Sequence, residues 1–201
     1  RAVLPELPSQ YVVIDVETTG LSEKSDIIEI GCIRCEGGQV INSFNSLIKI
    51  SGHIPESITK LTGITDEMLE STGVAIKDAM NEFLRFCGDD VLLGYNICFD
   101  MQHLRKACET LDLPAIVNPA FDVMRFARKN IRDLSRWGLD DVAKKLNIEY
   151  GRLHRSIDDC ILTYKIYEKL LFDGTYDSYG ADTFNESSNT DKKLNQNTEK
   201  R

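Results

Sequence analysis

The chain has 201 residues, of which 42% are hydrophobic and 28% are charged, and its formal net charge is −8. This apolar content suffices for one well-packed domain but hardly for two. No run of roughly 18 apolar residues occurs, so we expect no transmembrane helix, and no signal peptide is visible. The acidic balance disfavours a general electrostatic attraction to nucleic acid, but it is compatible with carboxylates that hold cations against a phosphate.

The cysteines predict a reducing, cytoplasmic environment. They are scattered along the chain without the spacing of a small disulfide scaffold, which favours free thiols. Cys32 and Cys35 match a C-x-x-C pattern, but they fall in a predicted strand, where residues three apart face opposite sides. We therefore interpret this pair as structural rather than as a zinc or redox site. The six positions are Cys32, Cys35, Cys87, Cys98, Cys108 and Cys160.

The first part of the chain predicts three consecutive strands. Residues 1–10 form a proline-containing lead-in to a single domain that we expect to span residues 11–172. A run of β-branched and aromatic residues opens at Tyr11 and predicts the first strand. Residues 27–34 and 40–50 predict the next two strands, with a glycine-containing hairpin turn between them.

The rest of the domain alternates between helical and strand patterns. Helical patterns are found at residues 55–61, 74–86, 99–111, 124–131, 139–146 and 156–171, and strand patterns at 91–95 and 120–123. Three strands followed by this alternation predict an α/β fold with a mixed sheet flanked by helices. Residues 173–201 are polar and predict a disordered tail, with a partner-binding segment as the alternative.

Two carboxylates close the first predicted strand. Asp15 and Glu17 are two residues apart, so on a strand their side chains share one face. Like charges at the end of a buried strand repel each other and lose hydration, which a divalent cation would compensate. The alternative is a pair of solvated acids at a strand end. Thr18 to Gly20 follow at once and predict an accessible position at the edge of the sheet.

Further acids are expected near the same edge, where the carboxyl ends of strands gather functional residues. Asp100 begins the helix after the fourth strand, although an acid there also complements the helix dipole. His154 and Asp159 flank the start of the last helix, where Ser156 and Asp159 could instead form a capping box. Oxygen ligands of this kind suit magnesium, which often acts as a pair of ions in phosphoryl transfer.

Three segments resemble, in order, the three motifs of the DEDDh exonuclease family: residues 15–20, 96–100 and 154–159. The likeness runs from residue 11 to residue 171 and includes the loop at 61–67. Within the family, the chain most resembles the proofreading epsilon subunits of bacterial replicative DNA polymerase and the related exonuclease domain of the Gram-positive enzyme. The resemblance implies a ribonuclease H-like fold with a mixed five-stranded sheet, and two Mg²⁺ ions for which Mn²⁺ can substitute.

The same resemblance implies a 3′–5′ exonuclease that releases nucleoside 5′-monophosphates from single-stranded or frayed DNA ends in proofreading or repair. An exoribonuclease that trims RNA or short oligoribonucleotides stays open, because one or two contacts near the terminal ribose can sense a 2′-hydroxyl. A DNA polymerase subunit is an expected partner of the tail at residues 173–201. A catalytically inactive adaptor is disfavoured, because it would have no need of repulsive buried acids.

Carried over by position, the resemblance implies Asp15, Glu17, Asp100 and Asp159 as metal ligands and His154 as the general base. Asp159 is chosen over its neighbour Asp158 because the family spaces this histidine and aspartate five residues apart. The implied substrate contacts are Thr19, Gly20, Leu21, Leu61, Thr62 and Phe99.

Several positions depart from the family pattern or offer alternatives. Ser156 stands where alanine is usual, and Tyr95 replaces the commoner histidine, which could alter nucleotide preference. His103 follows the predicted ligand Asp100 by three residues and is an alternative base, but we expect it to pack on the sheet. Asp122 is a candidate for a residue that orients the metal ligands without binding metal itself.

Two other polar residues are expected to have no part in the site. His53 lies in a predicted loop without an acidic partner nearby in sequence, which predicts a surface position. Glu29 is expected to be a strand residue whose hydrogen bonds are satisfied.

Overall fold

A computed structural model describes residues 9–172, which form an α/β domain around one five-stranded sheet. The strands are β1 (Gln10–Thr18), β2 (Ile27–Glu36), β3 (Gln39–Leu47), β4 (Val91–Gly94) and β5 (Ala120–Asp122). The helices within these residues are α1 (Glu56–Thr62), α2 (Asp66–Thr72), α3 (Ile76–Cys87), α4 (Cys98–Thr110), α5 (Val123–Asn130), α6 (Leu139–Lys145) and α7 (Ser156–Phe172). The tail predicted at residues 173–201 lies outside the described residues.

The sheet is mixed, as predicted. Its strand order is β3-β2-β1-β4-β5; β2 is antiparallel to both β1 and β3, β4 is parallel to β1, and β5 is parallel to β4. Gly37 and Gly38 form the turn between β2 and β3 with φ of 56° and 72°, the positive values that a two-residue hairpin requires. The third strand was predicted to reach residue 50, which is wrong. It ends at Leu47. Ile48 N still donates to Ile28 O of β2, but Ile48 also forms a bridge with Val74, and Lys49 N donates to Val74 O.

Both faces of the sheet are covered by helices, which explains why β1 is apolar almost throughout. One core includes Val12 and packs against α3 and α4, and the other includes Val13 and packs against α5, α6 and α7. Cys32 belongs to the first core and Cys35 to the second, so the C-x-x-C pair does face opposite sides. All six cysteines are free thiols.

The remaining helices differ little from their predicted bounds. The exception is α2, which begins at Asp66 within the predicted loop at 61–67 and ends at Thr72. Its first turn is capped by the Thr65 hydroxyl, which accepts a hydrogen bond from Met68 N at 3.3 Å. Within residues 9–172, no helix is both long enough and apolar enough to cross a bilayer.

Candidate active site

The end of β1 carries the first two acids of the site. Asp15 pairs across the antiparallel ladder with Gly31, and Glu17 pairs with Glu29. On the other side of β1, pairing with β4 stops at Val13. The last residues of β1 are therefore not covered by β4, and their backbone is open to other partners.

Asp100, at the start of α4, takes up the open position beside β1. Its side chain is 3% exposed, and its Oδ1 accepts a hydrogen bond from Val16 N at 2.9 Å. The chain reaches α4 through Asn96, whose φ is 61°. The Asn96 N–H is 3.3 Å from Asp122 Oδ1, and Asp122 also caps α5 by accepting from Met124 N at 2.9 Å. Asp122 thus supports the turn that places Asp100.

The third motif brings Asp159 and His154 to the same place. Asp159 is 8% exposed, and the ligand atoms of Glu17, His154 and Asp159 lie within 4.8 Å of one another. His154 is exposed, and its φ of 64° is in the left-handed region. Its N–H donates to the Asp159 carboxylate at 3.3 Å. The alternative of a capping box between Ser156 and Asp159 is therefore wrong, because Asp159 accepts from His154.

The start of α7 is fixed by β2. Gly31 lies so close to this helix that an added Cβ would be 2.4 Å from Ser156 Oγ. Glu29 is fully buried and accepts hydrogen bonds from Ser156 N at 2.9 Å and Arg155 Nη2 at 2.6 Å. Glu29 is therefore satisfied, as expected, and it also caps α7. Sequence reasoning missed Arg155; a lone acid in an apolar strand signals a buried partner but does not identify it.

The four predicted ligands have raised pKa values, each caused first by burial. Repulsion among the acids raises the pKa of Asp15 well above its usual value and that of Glu17 to about 8. The pKa is about 7 for Asp100 and about 6 for Asp159. Burial would also raise the pKa of Glu29, but its hydrogen bonds from Arg155 and Ser156 keep it below the usual value. Such a cluster of oxygen donors fits a hard divalent cation, which would relieve the repulsion.

The predicted substrate contacts differ in their exposure to solvent. Thr19, Gly20 and Leu21 lie in the loop directly after β1, and Leu21 is 92% exposed. Leu61 is 48% exposed at the end of α1. Thr62 is 1% exposed, and its hydroxyl bonds to Ile58 O at 2.9 Å, so its side chain is not available to a ligand.

Two histidines outside the third motif have structural partners. His103 is buried, and its ring nitrogens face the carbonyl oxygens of Phe99 at 3.0 Å and Ser22 at 3.2 Å. It is therefore engaged rather than free to act as a base. His53 is at the surface, as predicted, and it has an acidic partner that is not close to it in sequence. Its Nδ1 lies 2.8 Å from Asp66 Oδ2, a residue that only the folded chain brings close.

Comparisons with known proteins point to one family. Residues 12–167 match the RNase_T family, which is described as exonuclease. The DNA polymerase III subunit epsilon of Aquifex aeolicus is 34% identical over 166 residues, 82% of each chain. The DNA polymerase III PolC-type of Thermotoga maritima is 37% identical over 165 residues, which are 80% of this chain but 12% of that protein.

Solved structures show the same fold at low sequence identity. A zinc-bound E. coli ExoI in complex with single-stranded DNA superposes with a TM-score of 0.73 at 18% identity, covering 84% of this chain and 41% of that one. The fold is thus ribonuclease H-like, with a mixed five-stranded sheet flanked by helices. Its acids converge at the strand end where the sequence predicted them. From the family match over most of its length, this chain belongs to the exonuclease family.

Proposed function

We propose that the chain is a DEDDh-type 3′–5′ exonuclease that uses two Mg²⁺ ions to release nucleoside 5′-monophosphates from single-stranded or frayed DNA ends. The observation that carries the proposal is the convergence of Glu17, His154 and Asp159, whose ligand atoms lie within 4.8 Å of one another. Asp15 and Asp100 add two more buried carboxyls with raised pKa values. This donor set has no evident structural use, because each member destabilises its neighbours.

Asp15, Glu17, Asp100 and Asp159 would hold the ions. When bound, the ions supply Lewis-acid activation of the attacking water and charge neutralisation at the scissile phosphate. The four carboxylates come from β1, α4 and α7. The hydrogen bond from Val16 N to Asp100 ties α4 to β1, and that from Ser156 N to Glu29 ties α7 to β2. The geometry of the site is therefore set by the fold rather than by flexible side chains.

His154 is the proposed general base. Its exposed ring extends from a backbone that is fixed by the hydrogen bond from His154 N to Asp159. In the reaction, the imidazole accepts a proton from water, and the resulting hydroxide attacks the terminal phosphorus in line. The bond between phosphorus and the 3′ oxygen of the preceding nucleotide breaks, which leaves a 5′-monophosphate and a 3′ oxyanion that takes a proton from water to become the new 3′-hydroxyl. No covalent enzyme intermediate is required.

Two exposed leucines support binding of a nucleotide end. Leu21 and Leu61 lie in segments that flank the acids, and such exposed apolar side chains offer surfaces to a base. Phe99 precedes the ligand Asp100 and presents a partly buried ring nearby. The polymerase names of the two relatives further suggest proofreading as the cellular role, with a DNA polymerase subunit as a partner.

The test uses DNA and RNA strands of one sequence, labelled at the 3′ end, with Mg²⁺ or with a chelator. We expect release of the labelled mononucleotide from DNA, loss of release in chelator, and no internal cleavage products from a strand labelled at the 5′ end. Asp159→Asn is the matched inactive control, because it removes one negative charge with little change of shape. Faster release from RNA would favour the exoribonuclease, and release that persists in chelator would refute the metal-dependent mechanism.

A further inference from the structure

The loop that carries Leu21 has little apolar support of its own. It spans residues 19–26 and is closed by hydrogen bonds between Thr19 N and Asp26 O and between Asp26 N and Thr19 Oγ1, both at 2.9 Å. Leu21 is 92% exposed, so its side chain makes almost no contact that could fix its position. Where Leu21 lies is therefore decided by the loop backbone alone.

The loop is also separated from part of the domain core. A cavity of about 310 Å³ lies between the loop, the residues after β3 and the outer half of α4. Its lining includes Lys24 and Asp26 from the loop and Lys106 and Leu111 from α4. Packing against the core thus cannot hold the loop on this side, and polar contacts must do so.

Two side chains of α4 make those contacts. His103 Nε2 lies 3.2 Å from Ser22 O, and Lys106 Nζ donates a hydrogen bond to Glu23 O. We call His103 and Lys106 the α4 latch. The two carbonyls that they contact follow Leu21 directly in the chain, so the latch restrains the backbone immediately beside the exposed leucine.

The placement of His103 favours a role as a hydrogen-bond donor over one in packing. The ring is 4% exposed and packs against Phe99, with a centroid distance of 4.5 Å and an angle of 48° between the ring planes. A phenyl ring would satisfy this packing equally well. The ring nitrogens instead face two carbonyl oxygens, which can only accept hydrogen bonds, so the single N–H of a neutral imidazole donates to one of them. A donation from Nε2 to Ser22 O would add to the hydrogen bond that this carbonyl accepts from Ser25 N.

The same helix anchors the catalytic acids. Asp100, three residues before His103, binds Val16 N on β1. A single rigid helix therefore sets the distance between the proposed metal site and Leu21. We propose that His103 and Lys106 are positioning residues, which hold Leu21 where it contacts the base at the 3′ end; this rests on the exonuclease function proposed above.

The variants that test the latch are His103→Phe, which keeps the packed ring, and Lys106→Met, which keeps the aliphatic stem. Arg105→Met is the matched control, because it removes the same charge from an exposed position on the same helix. Since one hydrogen bond is typically worth a few-fold in an equilibrium, each latch variant should raise KM for a DNA strand by about 3- to 10-fold. The kcat should stay within about twofold of the parent, and Lys106→Arg should restore KM.

A double-mutant cycle with Leu21→Ala separates positioning from general destabilisation. If the latch acts through Leu21, the double variant His103→Phe with Leu21→Ala should be no worse than Leu21→Ala alone. Additive losses, or a fall in kcat with an unchanged KM, would overturn the proposal.

Hydrogen–deuterium exchange of the loop amides gives a readout that does not need activity. Exchange at residues 19–26 should be faster in both latch variants and unchanged in Arg105→Met. Unchanged loop exchange would overturn the latch even in an active enzyme. If exchange is faster in the latch variants but the parent protein releases no nucleotide, the exonuclease function is refuted while the structural contact stands.

Discussion

Without metal, this protein should lose stability as the pH rises, because its site contains buried carboxyls with raised pKa values. Asp100 is 3% exposed, and burial is the largest cause that raises its pKa from 3.8 to about 7. Between these two values the folded protein keeps a proton that the unfolded chain has lost. The stabilising contribution is therefore complete below the lower value and is lost as the pH rises through the higher one. Glu17 has a pKa of about 8, so it extends the pH range over which stability is lost to higher pH.

The magnitude can be worked from Asp100 alone. One pKa unit corresponds to about 1.4 kcal/mol. A pKa of about 7 in place of 3.8 therefore contributes about 4 kcal/mol to the free energy of unfolding at low pH. About 3 kcal/mol of this contribution is lost as the pH rises above 5. Asp15, Glu17 and Asp159 repel the same charge, so their effects overlap with this one rather than add to it. The loss is a large part of the ~5–15 kcal/mol that stabilises a typical domain.

Denaturant unfolding followed by circular dichroism measures this effect. The free energy of unfolding in chelator should fall by about 3 kcal/mol between pH 5 and pH 8. Added Mg²⁺ should restore most of it at the higher pH, where no bound protons have to be displaced. Asp100→Asn keeps an oxygen for Val16 N but carries no charge, so it should flatten the pH dependence. A parent protein that gains stability over this range in chelator, or an Asn variant less stable than the parent at pH 8, would refute the reasoning.

Three further outcomes are expected. Asp159→Ala should nearly abolish nucleotide release while Asp158→Ala has a mild effect, as measured on a labelled strand; the opposite order would mean that the third motif was read in the wrong register. His154→Ala should lower kcat by about 10²- to 10⁴-fold, with metal affinity by calorimetry little changed, whereas a parallel loss of both would make His154 a ligand. Gly31→Ala should displace α7, since its Cβ would lie 2.4 Å from Ser156 Oγ. It should lower both thermal stability and Mg²⁺ affinity, and unchanged affinity would show that the start of α7 does not set the site.

Local patterns were sufficient to predict most of the elements of this fold. The helix predicted over residues 99–111 is observed at Cys98–Thr110, because its apolar stripe and its flanking residues are both local signals. The end of β3 could not be predicted in the same way. Residues 48–50 are as strand-like as those before them, and the change of partner from β2 to Val74, whose carbonyl accepts from Lys49 N, is made by a residue distant in sequence.

The acids of the site could be predicted, but their support could not. Asp15 and Glu17 are identified by strand alternation and mutual repulsion, which need no knowledge of the rest of the chain. The residue that pairs with Glu29 is 126 positions away, at Arg155, and a single sequence does not reveal such a contact. The partner of His53 was missed for the same reason.

The positions that break local rules concentrate where the chemistry is proposed. Within residues 9–172, the non-glycine residues with positive φ are Asn96, Asp112, Asp133, Asn147 and His154. Asn, Asp and His are enriched in this conformation, which still costs a residue with a Cβ about 1 kcal/mol or more. Selection for stability alone would favour glycine or asparagine at position 154 and uncharged residues at positions 15 and 100. The strain at His154 and the buried charges are all within one site, which is the pattern expected when local stability is sacrificed for catalysis.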